Sequence, residues 1–140
     1  MANYYAYTRT NYFGVKDEEK FRNIISSLVG ENTFRVWKKD VDGKQKFGFG
    51  SECNILGKIN PSAEDEEYYS DEWIQDLQAI VDEDDAIIIT EVGYEKLCYL
   101  VGGVIVITSN SVTYGNIESL GLSLARDALK NPKFETQMHY

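Results

Sequence analysis

The chain has 140 residues and carries 23 acidic against 14 basic side chains, which gives a net charge of −9 at neutral pH. This length predicts one domain with its own core, and a pI near 4.6 argues against a protein that binds nucleic acid or anionic membranes directly. No apolar stretch approaches the roughly 20 residues of a membrane span, and two cysteines are too few for a disulfide framework, which favours a reducing, cytoplasmic setting.

The first third of the chain predicts a strand, a helix and a hairpin. Residues 3–9 alternate well enough for a strand, and residues 17–29 place apolar side chains at helical spacing behind three acidic residues. Residues 34–40 and the alternating aromatic residues that follow predict two paired strands. The Asp42-Gly43 dipeptide between them is a strong signal for a tight hairpin turn.

Residues 50–67 predict a long acidic loop, because the stretch is rich in glycine, asparagine, proline and acidic side chains. A second helix is predicted from a cap at Ser70 to about Val81, with Asp71 and Glu72 in its first turn.

Three further strands are predicted at about 86–92, 95–101 and 104–109, with turns at the glycines between them. Two of these runs are apolar at successive positions, which predicts central strands covered on both faces by helices. A last helix begins near Asn116, and residues 132–140 predict a loosely held tail. The predicted inner stripe of that helix is Ile117, Leu120, Leu124, Ala125 and Ala128.

This order of elements predicts a single α+β domain over residues 1–140. Hairpin signals dominate, so we expect a mainly antiparallel sheet of about six strands with three helices packed on it. The side chains expected to be almost fully buried in its central strands are Ile87, Ile89, Leu97, Val104 and Val106.

Residues suited to catalysis form no recognisable pattern. His139 is the only histidine and lies one residue from the end, and Cys98 sits in an apolar run that favours a buried thiol. A calcium loop beginning at Asp82 fails, because Ala86 stands where its third ligand is required. We therefore expect no catalytic residue, no cofactor and no dedicated metal site.

The most informative feature is an acidic window between Ile59 and Glu95, which contains thirteen acidic side chains and no Lys or Arg. Its charge of −13 exceeds the −9 of the whole chain, so the remainder carries +4. Such segregation of charge indicates a partner that is recognised electrostatically. A solvated acidic surface that serves solubility alone is an open alternative. Tyr68 and Tyr69, which lie among these acids, fit an interface or plain packing. The candidate partner-binding residues are Glu64, Asp65, Glu66, Glu67, Tyr68, Tyr69, Asp71, Glu72, Asp76, Asp82, Glu83, Asp84 and Asp85.

Two blocks of residues carry a resemblance. They are Arg9-Thr10-Asn11-Tyr12-Phe13 with the following Val15-Lys16-Asp17, and Glu91-Val92-Gly93-Tyr94-Glu95-Lys96-Leu97 with Tyr99-Leu100. These blocks resemble small acidic accessory proteins of bacterial phages and conjugative elements, a family with no settled activity. The resemblance implies a context in which inhibitors of host defence, including anti-CRISPR and anti-restriction proteins, are encoded. The first block also has a structural interpretation, in which Arg9 and Asn11 tie down a bend through backbone hydrogen bonds.

The resulting hypothesis is a non-enzymatic, cytoplasmic inhibitor from a mobile genetic element. Its acidic surface would mimic DNA or RNA and bind a basic nucleic-acid-binding protein or complex of the host, with no direct nucleic-acid or membrane partner. Two alternative functions stay open: a small enzyme with a carboxylate or divalent-metal site around residues 50–67, and a self-assembling scaffold protein. The sequence does not determine the oligomeric state.

Overall fold

The computed structural model describes residues 4–59, 69–95 and 99–136, without the side chains of Tyr69 and Tyr99. In chain order the elements are β1 (Tyr5–Thr10), α1 (Glu18–Ser26), β2 (Leu28–Val29), β3 (Arg35–Val41), β4 (Lys44–Ser51), β5 (Gly57–Ile59), β6 (Tyr69–Ser70), α2 (Glu72–Ile80), β7 (Ile87–Glu95), β8 (Tyr99–Ile107), β9 (Val112–Asn116) and α3 (Ile117–Leu129).

These elements form an α+β fold dominated by an antiparallel sheet, which confirms the predicted fold class. The six strands of the main sheet lie in the order β3-β4-β1-β7-β8-β9, so β3 and β9 are its edges. A second, small sheet has the order β2-β5-β6. Within the described residues, no helix has the length and apolar character that crossing a membrane requires.

Helix α1 begins as predicted but ends earlier. The Asp17 side chain accepts a hydrogen bond from the backbone N–H of Lys20 at 3.1 Å, which caps the first turn. The helix ends at Ser26 rather than Val29, because Leu28 and Val29 pair with β5. The predicted loop over 50–67 therefore contains a strand that no local signal marked.

The hairpin of β3 and β4 confirms the Asp42-Gly43 prediction. Both residues have positive φ, 53° and 82°, as a two-residue hairpin turn of this type requires. The pairing then runs without a break from Val41 opposite Lys44 to Arg35 opposite Gly50.

A three-strand meander exists as β7, β8 and β9, but its predicted strands and turns are wrong: the strands predicted at 95–101 and 104–109 fall largely within the single strand β8, and β9 was not predicted. β7 and β8 pair continuously from Ile87 opposite Ile107 to Glu95 opposite Tyr99, so the glycines taken as turns lie inside strands. For two of these glycines, other residues pack so closely against the strand that a side chain would not fit. A Cβ on Gly93 would lie 2.6 Å from the Tyr5 carbonyl oxygen, and one on Gly102 would lie 2.8 Å from the Ile117 side chain.

One face of the main sheet packs against α1 and α2 and forms the core. Phe13, Phe21 and Phe49 are completely buried and meet edge-on or tilted, with ring centroids 5.5–6.4 Å apart. The remaining core residues are Ile25, Leu28, Phe47, Trp73, Ile74, Leu77, Ile80, Val81, Ile87, Ile89 and Ile107.

The opposite face, here called the open face, is not covered by α1 or α2. Side chains alternate along β7, so Ile87 and Ile89 are buried as predicted while Ile88 is exposed. The prediction is wrong for Val104 and Val106, which are only half-buried, and Leu97 lies outside the described residues. The large exposed side chains of the open face are Tyr5, Tyr7, Ile88, Val92, Tyr94 and Leu100.

Helix α3 begins where predicted, but its apolar stripe does not face inward. Asn116 caps it by accepting a hydrogen bond from the Ser119 N–H at 2.7 Å. No residue of α3 is buried, and the predicted inner residues Ile117, Leu120 and Leu124 are 58–59% exposed. The half-buried residues of α3 are instead Glu118, Leu122, Ala125 and Arg126, and the Arg126 guanidinium donates to the Phe134 carbonyl at 2.9 Å. Ala128 is also exposed.

Candidate functional site: the acidic surface around helix α2

Helix α2 holds part of the acidic window rigidly in place. Trp73, Ile74, Leu77 and Ile80 are buried in the core and fix the orientation of the helix. Ser70, predicted as the cap, lies one residue before the N-cap position, and its hydroxyl accepts a hydrogen bond from the Glu72 N–H at 3.0 Å. Since one side of a two-turn helix is locked to the core, the acidic residues on its other side have defined positions.

The acidic groups at the start of α2 face solvent. Asp71 and Glu72 are exposed, and both lie beside the N-terminus of the helix, where the helix dipole stabilises negative charge. They are therefore available to a partner without disturbing the core.

Asp76, by contrast, is already paired. Its carboxylate accepts a hydrogen bond from the Lys58 ammonium on β5 at 2.7 Å, and both side chains are partly buried. This hydrogen bond, with the negative field of Asp76 and Glu72, raises the pKa of Lys58 above its ordinary value despite partial desolvation. Asp76, a candidate partner-binding residue, thus joins α2 to β5 and adds little free charge to the surface.

A second group of acids, Asp82, Glu83, Asp84 and Asp85, follows α2. Within it, Asp85 has a structural role. Its carboxylate accepts hydrogen bonds from the Gly14 and Ala86 N–H groups at 2.8 and 2.9 Å and from the Lys46 ammonium at 3.1 Å. Burial disfavours the charged form, but these three donors outweigh it and lower the pKa of Asp85. The side chain joins the end of β1, the hairpin and the start of β7.

The other acids of this group differ in exposure. Glu83 and Asp84 are exposed, and Asp82 is half-buried close to Gly14. Glu83 lies 3.8 Å from the Lys16 ammonium, but its side chain is 83% exposed, so this ion pair is weak. Roughly 13 Å of helix separates this group from Asp71 and Glu72.

Among the described residues, four predicted site residues therefore present exposed acid groups: Asp71, Glu72, Glu83 and Asp84. We call these four the acidic surface. Tyr69 is placed only by its backbone, opposite Ile59 in the small sheet. The predicted residues Glu64, Asp65, Glu66, Glu67 and Tyr68 lie outside the described residues.

A basic aromatic cleft that was not predicted lies on the open face of the main sheet, because Arg9 and Arg35 are both opposite Gly50 and share the face of Tyr7. The Arg9 guanidinium stacks over the Trp37 ring at 4.5 Å from its centroid, and Arg35 lines the same cleft of about 450 Å³. The spacing of Trp37 and Arg35 on one side of β3 was a usable signal, but the contact of Trp37 with Arg9 crosses the intervening strand β4 and depends on tertiary structure.

The block from Arg9 to Phe13 serves the fold, although only partly as expected. The Asn11 amide donates to the Ala86 carbonyl at 3.0 Å, and its oxygen accepts from the Ile88 N–H at 2.8 Å, so Asn11 ties the bend to β7. Arg9 stacks on Trp37 instead of making the expected backbone hydrogen bond, and Phe13 is a core residue.

Residues that could support a metal or a nucleophile are not clustered. Within the described ranges, no group of three or more His, Cys, Asp or Glu side chains is arranged to hold a metal ion. Cys53 is buried and its sulfur accepts a weak hydrogen bond from the Asn32 N–H at 3.4 Å. Cys98 and His139 lie outside the described residues.

Comparison of the chain with protein-family models, with curated proteins and with solved structures finds no match. The function must therefore be inferred from the geometry and charge of the molecule itself.

Proposed function

We propose that this chain is a non-enzymatic inhibitor from a mobile genetic element, which binds a basic nucleic-acid-binding protein or complex of the host. The observation that carries the proposal is the rigid placement of exposed acids. The acidic surface belongs to a window with a charge of −13 in a chain of −9. Helix α2 anchors Asp71 and Glu72 to the core, and a turn closed by the hydrogen bond from the Asp85 N–H to the Asp82 carbonyl holds Glu83 and Asp84. Fixed anionic groups over this length can occupy a groove that normally holds phosphates, because phosphates repeat at about 7 Å along a strand.

Two features sharpen this proposal. The contact with the host partner is made by the four residues of the acidic surface, because Asp76 and Asp85 already form ion pairs with Lys58 and Lys46. The cleft of Arg9 and Arg35, which Glu52 also lines, lies on the face of the sheet opposite to α2, and this charge asymmetry orients the molecule as it approaches a basic partner.

Neutralising the acidic surface is expected to weaken partner binding without unfolding the protein. The test variant combines Asp71→Asn, Glu72→Gln, Glu83→Gln and Asp84→Asn. The matched control makes the same charge change at four exposed acids elsewhere on the chain: Glu19→Gln, Glu31→Gln, Asp40→Asn and Glu52→Gln. A loss of ~2 kcal/mol in binding, which is about a 30-fold rise in Kd, is expected only for the test variant.

The measurement begins with capture of the partner from host lysate on the immobilised wild-type protein. Binding of the purified partner to both variants is then measured at several salt concentrations, alongside thermal melting. We expect steep weakening with salt and displacement by duplex DNA or by RNA. A partner that holds nucleic acid and this protein together, with an affinity indifferent to salt, would reject the mimicry.

A further inference from the structure

The apolar stripe of α3 is largely unpacked: its large side chains, Ile117, Leu120 and Leu124, are 58–59% exposed. We define this stripe as Ile117, Leu120, Gly121, Leu124 and Ala128, which fall on one side of the helix at three- and four-residue spacing. Helices of this length are marginal in water unless an apolar face is packed. A 13-residue helix with Leu120 and Leu124 exposed is therefore expected to gain much of its stability from another surface.

The open face of the main sheet lies on the same side of the molecule. Residues directly opposite in paired strands share a face, so Gly102 shares a face with Val92, and Leu100 lies two residues along β8. The Ile117 side chain lies within 3 Å of where a Cβ on Gly102 would be, which places the start of the stripe over this face. The stripe and the open face therefore form one continuous apolar surface.

This surface carries no charge in its central part, although 26% of the residues of the chain are charged. On β7 the open-face positions between 88 and 94 are Ile88, Thr90, Val92 and Tyr94, and on β8 those between 100 and 106 are Leu100, Gly102, Val104 and Val106. The stripe of α3 is also uncharged. The nearest charged residue is Arg9 on β1, directly opposite Thr90, and Arg35 on β3 lies beyond it on the same face.

The absence of charge identifies the kind of partner. In a two-fold symmetric contact the same patch meets itself, so any charge near the axis faces an identical charge. Two copies with a net charge of −9 each approach with least repulsion through an uncharged patch. A strongly charged macromolecule would be matched by charged groups, as at the acidic surface.

The available area is sufficient for a stable dimer. Six side chains of the open face and three of the stripe are 39–63% exposed. Each leaves about 100 Å² accessible, so together they offer on the order of 900 Å² per copy, against the roughly 800 Å² per partner of a standard interface.

We propose that the open face and the stripe of α3 form the interface of a homodimer, in which the stripe of each copy packs against the open face of the other. The two-fold symmetry makes the contact between stripe and open face occur twice, so that both surfaces are buried in both copies. The acidic surfaces stay accessible.

Light scattering coupled to size-exclusion chromatography tests the proposal. The wild-type protein is expected to have twice the 16.0 kDa mass of one chain. Leu120→Glu with Leu124→Glu should raise the dimer Kd at least about 100-fold and give the mass of one chain, because four carboxylates would be placed in an apolar interface. Ser119→Glu with Ser123→Glu adds the same charge to exposed positions outside the stripe of the same helix and should leave the dimer intact.

Two further measurements keep the test decisive if the leucine variant fails to fold. Leu100→Glu, on the sheet side of the interface, should also give single chains, and the melting temperature of the wild type should rise with protein concentration. A wild type with the mass of one chain and a melting temperature independent of concentration would overturn the homodimer. A dimer that survives both Leu100→Glu and the leucine pair would place the interface elsewhere.

Discussion

Replacing Phe13 by alanine is expected to lower the free energy of unfolding by about 3–5 kcal/mol. The ring is completely buried and meets Phe21 and Phe49 at right angles, with centroids 5.5 and 6.4 Å away. Removing it leaves a cavity between α1 and the hairpin that the surrounding rings fill only in part. Urea unfolding followed by circular dichroism measures the loss.

Tyr12→Ala is the control for the Phe13 variant. Tyr12 is the adjacent residue, it is only half-buried, and its ring lies under the Lys39 ammonium at 5.4 Å. We expect a loss of about 1 kcal/mol or less, since only a surface cation–π contact and partial burial are removed. Equal losses for the two variants would contradict the placement of Phe13 in the core.

Replacing Asp85 by alanine is expected to cost about 2–3 kcal/mol at neutral pH, a large effect for a residue of the acidic window. The substitution leaves the Gly14 and Ala86 N–H groups without their acceptor and removes the ion pair with Lys46. The neighbouring Asp84→Ala, at an exposed position, should change stability by no more than about 0.5 kcal/mol.

The cost of Asp85→Ala is expected to depend on pH in a defined direction. The pKa of Asp85 is lowered in the folded protein, so its carboxylate stabilises the fold above the unfolded-state value of about 3.9. This stability is lost as the pH falls below that value and through the lowered pKa. Urea unfolding at pH 7, 5 and 3 should show the difference between wild type and variant shrinking only at the lowest pH. A difference that grows on acidification would mean that the pKa is raised instead.

Local signals were sufficient for several elements. The start of α1 at its three acidic residues and the Asp42-Gly43 turn were predicted because each depends on residues a few positions apart. The α+β class followed from hairpin signals, and the fold confirms it. Chemistry at a turn or cap is local, so it can be recognised from a short stretch of sequence.

The roles of the glycines could not be predicted in the same way. Gly93 and Gly102 have the composition of turns, yet both lie inside strands because other side chains or backbone pack closely against them. A glycine that bends the chain and a glycine that admits a neighbour look the same in sequence. Only the packing of Tyr4, Tyr5 and Ile117 distinguishes them.

The sequence by itself determined the charge segregation, the periodicity of the helices and the class of the fold, because these depend on composition and short-range spacing. Tertiary structure alone decided which acids are available. Lys58 reaches Asp76 across 18 residues and Lys46 reaches Asp85 across 39, so neither pairing leaves a local trace. Tertiary structure also decided which way the apolar stripe of α3 faces, because periodicity shows that a helix has an apolar side but not what covers that side.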